Sequence, residues 1–348
     1  MSDSPVVRKN FDAIDLTKFI LSFLIVALHA DAFYDISPKL NLVLCGGIAR
    51  IGVPVFFTAS AFFFFRKKQD GASLKRYCKR LGILYLCWFI VQLPKTIFDR
   101  IICSHTGFAE TMFRFVRSFF VTSTFSGSWF IVSCIFCALL FYALEKLPEK
   151  RRKVITLILS VAVYVFCVIC SAYGNILEGT AFERPLIIYK LIFANPYNNL
   201  FTGIPYFALG RYFAKHEGNW GKKTVYIAGT VISVVLLVAE VLITNRFGLT
   251  DATDCYFLLF PCVFFLFPLI LGSNLKLKNA AFLRVTSTVV FFSQFIWLFA
   301  CEIAEWLFKI TIPYMGKFLF AAVCGFLLSV VMQKIQKYPK FAWVRYFY

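Results

Sequence analysis

The stretch IDLTKFILSFLIVALHADAFYDI, Ile14 to Ile36, decides the fold. Between Leu16 and Ala30 its only ionisable residues are Lys18 and His29. A run of about 20 mostly apolar residues is what a helix needs to cross the hydrocarbon of a bilayer. Similar runs recur at 40–65, 81–99, 128–147, 154–173, 199–214, 224–244, 255–272, 285–307 and 316–334. The sequence therefore predicts an all-α, polytopic membrane protein with about ten transmembrane helices. The run at 199–214 is the shortest. The segment 107–126 carries Glu110, Arg114 and Arg117 among its aromatics and reads as an interfacial or re-entrant piece.

Composition agrees. Of 348 residues, 60% are hydrophobic and only 16% charged, with a mean hydropathy of +0.75. No compact soluble globule hides that much apolar side chain. The 44 Phe and 16 Tyr suit lipid-facing helices and interfacial belts. Soluble enzyme, disulfide scaffold and disordered chain are excluded. The chain reads as one membrane domain over 1–348, with no soluble appendage. The tail Met1–Asn10 is too short and polar for a cleavable signal.

The formal net charge of +19 reflects basic blocks between the apolar runs rather than nucleic-acid binding. With both termini cytoplasmic, 25 Lys and Arg fall on the inside and ten outside, and Lys18 and Arg50 fall within spans. That asymmetry sets the expected orientation. Most of the 12 Cys sit inside apolar runs, including the CxxC pairs Cys134/Cys137 and Cys167/Cys170, and read as packing residues rather than metal or redox sites.

Charge in hydrocarbon is costly, so each ionisable group inside a span is a functional candidate. Lys18 and His29 stand eleven residues apart, which puts them about 20° apart in azimuth and about 16 Å apart along one helix face. Lys18 lies near the cytoplasmic headgroups, where a snorkelling lysine would also sit. His29 lies deep, where an imidazole must face a polar cavity or be hydrogen-bonded. Asp31 points to another face. Arg50 must be paired or wet, with Glu302 or Glu305 as possible partners, and Gly52 and Pro54 after it mark a break suited to lining a cavity. Glu240, Glu302 and Glu305 are expected to be solvated at outer helix ends, and His105 and His216 in loops. The loop 66–80 concentrates basic residues. Its cluster Lys75, Arg76, Lys79 and Arg80 suits lipid headgroups or a polyphosphate ligand.

These pieces resemble the integral membrane acyltransferases of the acyltransferase-3 type. The Lys18–His29 spacing resembles the first-span hallmark of a basic residue, ten others, then His. ARIGVPVFFTASAFFFFRKK around Arg50 and Ser60 resembles the second span, and KRYCKR the paired basic motif associated with acyl-coenzyme A. SGSWFIVSCIF around Trp129 and NNLFTGIPYFALG around Asn199 resemble two later signatures. The departures are Ser60-Ala61 for Ser-Gly, Asn198 for Arg, Gln294 for a late His, and no Glu at Cys134.

The resemblance implies a bacterial inner-membrane enzyme with no permanently bound cofactor or metal. It would move an acyl group, by default acetyl, from cytoplasmic acyl-CoA to a hydroxyl of a cell-envelope glycan or lipid-linked acceptor. It implies His29 as base assisted by Lys18, with Lys75, Arg76, Lys79 and Arg80 on coenzyme A. Arg50, Ser60, Trp129 and Asn199 would serve the acceptor or the thioester. The chain is also similar to membrane domains of vancomycin-resistance serine racemases, which keeps a small-solute, serine-like transporter as the alternative. The acceptor would be chosen by outer loops at 100–127 and 174–198.

Overall fold

The computed structural model describes residues 11–99, 107–218 and 221–348; the N-terminal tail with Arg8 and Lys9, and also Arg100 and His105, lie outside the described residues. Thirteen α-helices are described: α1 (Asp12–His29), α2 (Pro38–Leu44), α3 (Gly52–Phe65), α4 (Gly71–Ile97), α5 (Phe108–Val121), α6 (Trp129–Leu144) and α7 (Glu149–Ile169). Then come α8 (Glu183–Phe193), α9 (Ile204–Lys215), α10 (Lys223–Arg246), α11 (Leu259–Leu271), α12 (Ala280–Phe308) and α13 (Tyr314–Ile335). No strand occurs among the described residues. The protein is an all-α polytopic membrane protein.

Each of the ten expected spans falls on a helix, but their lengths differ. Five described helical stretches are long and apolar enough to cross a bilayer: Pro38–Phe65, α7, α10, α12 and α13; α6 and α11 are apolar but shorter. The sixth span shrinks to α9, whose 12 residues rise about 18 Å and so begin mid-bundle. The second span is broken, as Gly52 and Pro54 suggested. α2 ends at Leu44 and a 3-10 turn, Ile48–Ile51, carries Arg50 before α3 starts.

The basic loop is not a loop over most of its length. Asp70 accepts a hydrogen bond from the Ser73 N–H (2.8 Å) and caps α4, so KRYCKR forms that helix's second and third turns. The bond to the Ser73 N–H holds the Asp70 carboxyl below its usual value.

Burial follows from composition. Eleven of the 14 residues of α3 are buried, among them Phe56, Phe57, Phe62, Phe64 and Phe65, so α3 is the axis of the bundle. α7 and α10 instead turn Leu157, Ile158, Val231 and Val235 outward as a lipid-facing surface. α9 packs against α3 so closely that a Cβ on Gly210 would lie 2.4 Å from the Thr58 carbonyl oxygen and 2.6 Å from the Ala61 Cβ. The methyl group of Ala61 therefore sits over a bare Gly210.

Segment 107–126 contains the amphipathic α5, with Phe108, Phe113 and Phe120 exposed. The loop 174–198 contains a further short helix, α8. Arg117 donates to the Leu191 carbonyl and ties the two together.

Two electrostatic expectations are corrected. Glu240 is buried rather than solvated; its carboxylate accepts from the N–H groups of Phe257 (2.8 Å) and Leu258 (2.9 Å) and from the Tyr173 hydroxyl (3.1 Å). It replaces water at the start of α11, where orphan N–H groups and the helix dipole favour an anion. Arg50 pairs with neither Glu302 nor Glu305. Those glutamates bind Lys95 (3.8 Å) and Lys317 (2.9 Å), whereas Arg50 reaches Asp254 at 2.7 Å. His216 lies just past α9, bonded through Nδ1 to its own helix at the Tyr212 carbonyl.

Candidate active site

Three irregular segments penetrate the bundle at one depth: the turn before α3, the chain before α9, and the chain before α11. Lipid would not tolerate exposed backbone at that depth, so each must be satisfied by protein. The segment before α9 is held by Ser133, whose Oγ accepts from the Gly203 N–H (3.0 Å) and donates to the Leu200 carbonyl (2.9 Å). Asn199 closes the same turn. Its side-chain oxygen accepts from the Phe201 N–H (2.9 Å), and its amide donates to the Tyr189 hydroxyl (2.8 Å). The segment before α11 is held by Ser171, whose Oγ accepts from the N–H groups of Asp254 and Cys255, both at 3.0 Å, and by Glu240 on its far side. Thus positioned, Asp254 receives the Arg50 Nη1 (2.7 Å) and Thr253 the Nη2 (2.9 Å).

Where these segments meet, a cavity of about 80 Å³ opens, with His29, Arg50 and Asp254 as its charged or titratable wall and Phe57, Trp129, Tyr206 and Phe295 as its aromatic wall. The His29 ring is accessible from the cavity although it stands deep in the bundle. It packs on Phe295 with ring centroids 4.7 Å apart. Among the described residues neither of its ring nitrogens has a hydrogen-bond partner; Asp31 instead accepts from the Asn41 amide (2.9 Å). The Arg50 charge acts on the imidazole from across the cavity. The first turns of α3, α6 and α9 face the cavity through Val53 and Pro54, Trp129, and Tyr206. Each adds the partial positive charge of a helix N-terminus to that of Arg50. The site is built to favour negative charge appearing near His29.

A second cluster lies toward the opposite end of α1. The Lys18 ammonium sits over the Phe56 ring at 5.7 Å from its centroid. Asp15, Arg80 and Arg284 are the charged groups in electrostatic reach of it, and Asp15 is itself paired with Arg284 at 2.7 Å. Beside them Ser60 and Tyr77 share a hydrogen bond of 2.7 Å, and Cys134 adjoins both hydroxyls. Lys75, Arg76, Lys79 and Arg80 stand exposed on α4, and no carboxylate lies within salt-bridge distance of them among the described residues.

The structure thus gathers His29, Arg50 and Trp129 around one cavity, and Lys18, Ser60 and Arg80 into a second group about three helical turns away. Asn199 joins neither, because its amide is spent on the turn before α9. Asp254 and Ser171 escape the sequence reading, which also places Glu240 in solvent. The one available signal was TDATDCY, a polar, doubly acidic segment between two apolar runs.

The family whose profile describes an acyltransferase domain matches residues 11–334. The chain belongs to the acyltransferase-3 family. Among curated proteins, this family member is similar to two from Enterococcus faecalis, each named amino-acid racemase. One is 23% identical over 269 residues, covering 76% of this chain and 36% of the relative. The other is 21% identical over 343 residues, covering 95% and 47% respectively. The acyltransferase-family chain therefore spans less than half the length of the curated relatives it matches. No solved structure matches it.

Proposed function

We propose that this protein is an acyltransferase of the bacterial inner membrane, working as one membrane domain with both termini cytoplasmic. It moves an acyl group, by default acetyl, from cytoplasmic acyl-CoA to a hydroxyl of a cell-envelope carbohydrate or similar acceptor. The observation that carries this reading is the division of labour along α1. Lys18 stands in a basic cluster at one end, His29 stands in an aromatic cavity at the other, and about 16 Å of helix separates them.

In this reading Lys75, Arg76, Lys79 and Arg80 hold the phosphates of coenzyme A, and Lys18 meets them at the mouth of the bundle. The pantetheine arm runs along α1 past Phe56 and Ser60 to the cavity. A nitrogen of His29 takes the proton of the acceptor hydroxyl as its oxygen bonds to the thioester carbonyl carbon. Negative charge collects on the carbonyl oxygen and is met by Arg50 and the helix N-termini. The C–S bond then breaks, and the imidazolium returns its proton to the departing coenzyme A thiolate. Trp129 and Phe57 exclude water. No permanently bound cofactor or metal and no nucleic acid takes part.

One observation favours a second reading, a carrier for a small amino acid such as serine. The broken span at Arg50 and the two cavities that share its side chain, one of them described below, resemble the midplane sites of transporters, and the relatives are named amino-acid racemase. One experiment separates the two. Purified protein is incubated with isotope-labelled acetyl-CoA and a cell-envelope fraction, beside His29→Ala. Label in the envelope and free coenzyme A, both lost in the variant, are expected. Absence of turnover and of acetyl-CoA binding, with serine uptake into proteoliposomes, would replace transfer by transport.

A further inference from the structure

Arg50 lines two cavities. On the α2 side of its guanidinium lies a wider vestibule of about 380 Å³, whose polar wall includes Asp31, Lys39, Asn41, Asn245 and Thr253. Its wall and that of the His29 cavity have Leu28 and Arg50 in common. The vestibule is rich in hydrogen-bond donors. Lys39 is exposed and has no carboxylate within salt-bridge distance among the described residues, and the Asn245 amide makes no hydrogen bond there. Asp31, the carboxylate in this wall, is already occupied by Asn41. The Arg50 guanidinium is pinned through both terminal nitrogens to Asp254 and Thr253, yet its Nε–H is buried without a partner. A buried donor left unmade is unfavourable.

A lysine with no carboxylate partner among the described residues, a guanidinium whose charge is shared with Asp254 and an unbonded amide, set against the satisfied Asp31, favour oxygen anions. Tyr34 and Thr253, which also line the vestibule, suit hydroxyls. We propose that the vestibule binds a small hydroxylated anion, either a hydroxy acid through its carboxylate or a polyol phosphate through its phosphate. Lys39 takes the anionic group, and an oxygen of the ligand lies against the Arg50 guanidinium at the partition. That placement brings the neighbouring hydroxyl of the ligand to the boundary of the His29 cavity. The inference deepens the acyl-transfer reading and rests on it for the meaning of the ligand as acceptor; the binding event stands by itself.

The test is calorimetric titration of the full-length protein in detergent with glycerol 3-phosphate and D-glucuronate as anionic probes. Glycerol and D-glucose serve as neutral counterparts, and L-serine as a zwitterion. The variants are Lys39→Met and Asn245→Leu, with Lys309→Met as a loss of charge outside the vestibule wall. At least one anionic probe should bind tenfold or more tightly than its neutral counterpart. Lys39→Met should raise its Kd by tenfold or more, and Lys309→Met should not. Phosphate and carboxylate probes differing in affinity would say which anion is native. Equal binding of neutral and anionic probes, equal effects of Lys39→Met and Lys309→Met, or no anion binding up to tens of millimolar would each overturn the proposal. Acetyl-CoA binding is titrated in the same samples. Anion binding without any acetyl-CoA binding would uphold the vestibule and sink the acyl-transfer reading; the reverse pattern would do the opposite.

Discussion

Gly210→Ala adds a single methyl group where α9 lies against the backbone of α3. An ordinary contact between such atoms is about 3.5–4.0 Å, and the new Cβ would meet the Thr58 carbonyl oxygen at 2.4 Å, the Ala61 Cβ at 2.6 Å and the Phe62 N at 2.9 Å. Two of these three neighbours are backbone of α3 and cannot rotate away. The helices must therefore part by about an ångström. Overpacking of this kind destabilises by about 1–3 kcal/mol, and rigid backbone neighbours argue for the upper half, about 2–3 kcal/mol. At about 2 °C per kcal/mol for a large domain, the apparent Tm should fall by about 4–6 °C. The assay is thermal unfolding in detergent, followed by a maleimide dye that reacts with buried thiols as they open; Cys134, Cys137 and Cys262 are all buried. Adding Ala61→Gly should restore part of the loss but not all, since the Thr58 contact persists. A Tm within about 1 °C of wild type for Gly210→Ala, or full rescue by Ala61→Gly, would refute the reasoning. The parting of α3 from α9 also moves Phe57 away from Tyr206 across the cavity, so transfer should suffer more than stability alone explains.

Other outcomes follow from the same geometry. Glu240→Gln removes one of two charge-assisted bonds to the start of α11, worth about 1.5–3 kcal/mol; the Tm should drop and Asp254 should lose its register with Arg50, which lower transfer at an unchanged acetyl-CoA Kd would reveal. Arg76→Glu with Arg80→Glu should raise the KM for acyl-CoA at least tenfold while leaving kcat within a few-fold; an unchanged KM would assign the cluster to lipid headgroups. Glu145, just beyond α6, is paired with Arg211 (2.5 Å), Arg152 (3.0 Å) and Lys215 (3.3 Å). Glu145→Gln should therefore lower the Tm, and a Tm equal to wild type would contradict the pairing.

The spans were legible because hydrocarbon demands apolar length, and that demand is local in sequence. The break near Arg50 was legible for the same reason, since Gly52 and Pro54 are local signals. What was not legible depends on partners far along the chain. Arg50 lies 204 residues from Asp254, and no spacing rule links them. Glu240 looked solvated because it sits near a helix end; its fate is set by the start of α11, which folds back against it. Asn199 fitted a motif by position, yet its side chain is consumed by its own turn. The segment 66–80 reads as a loop because its charges mask an N-cap at Asp70 that extends α4 ten residues upstream of its apolar run, although the i, i+3, i+4 spacing of KRYCKR already puts its donors on one helical face.

The measurement that bears most directly on the account is single-turnover release of coenzyme A from acetyl-CoA by wild type, His29→Ala and His29→Gln, with acetyl-CoA binding titrated in parallel. The account predicts that both variants bind acetyl-CoA as wild type does and lose about 10²–10⁴ in rate, the worth of a positioned general base. Release at the wild-type rate in either variant would contradict it.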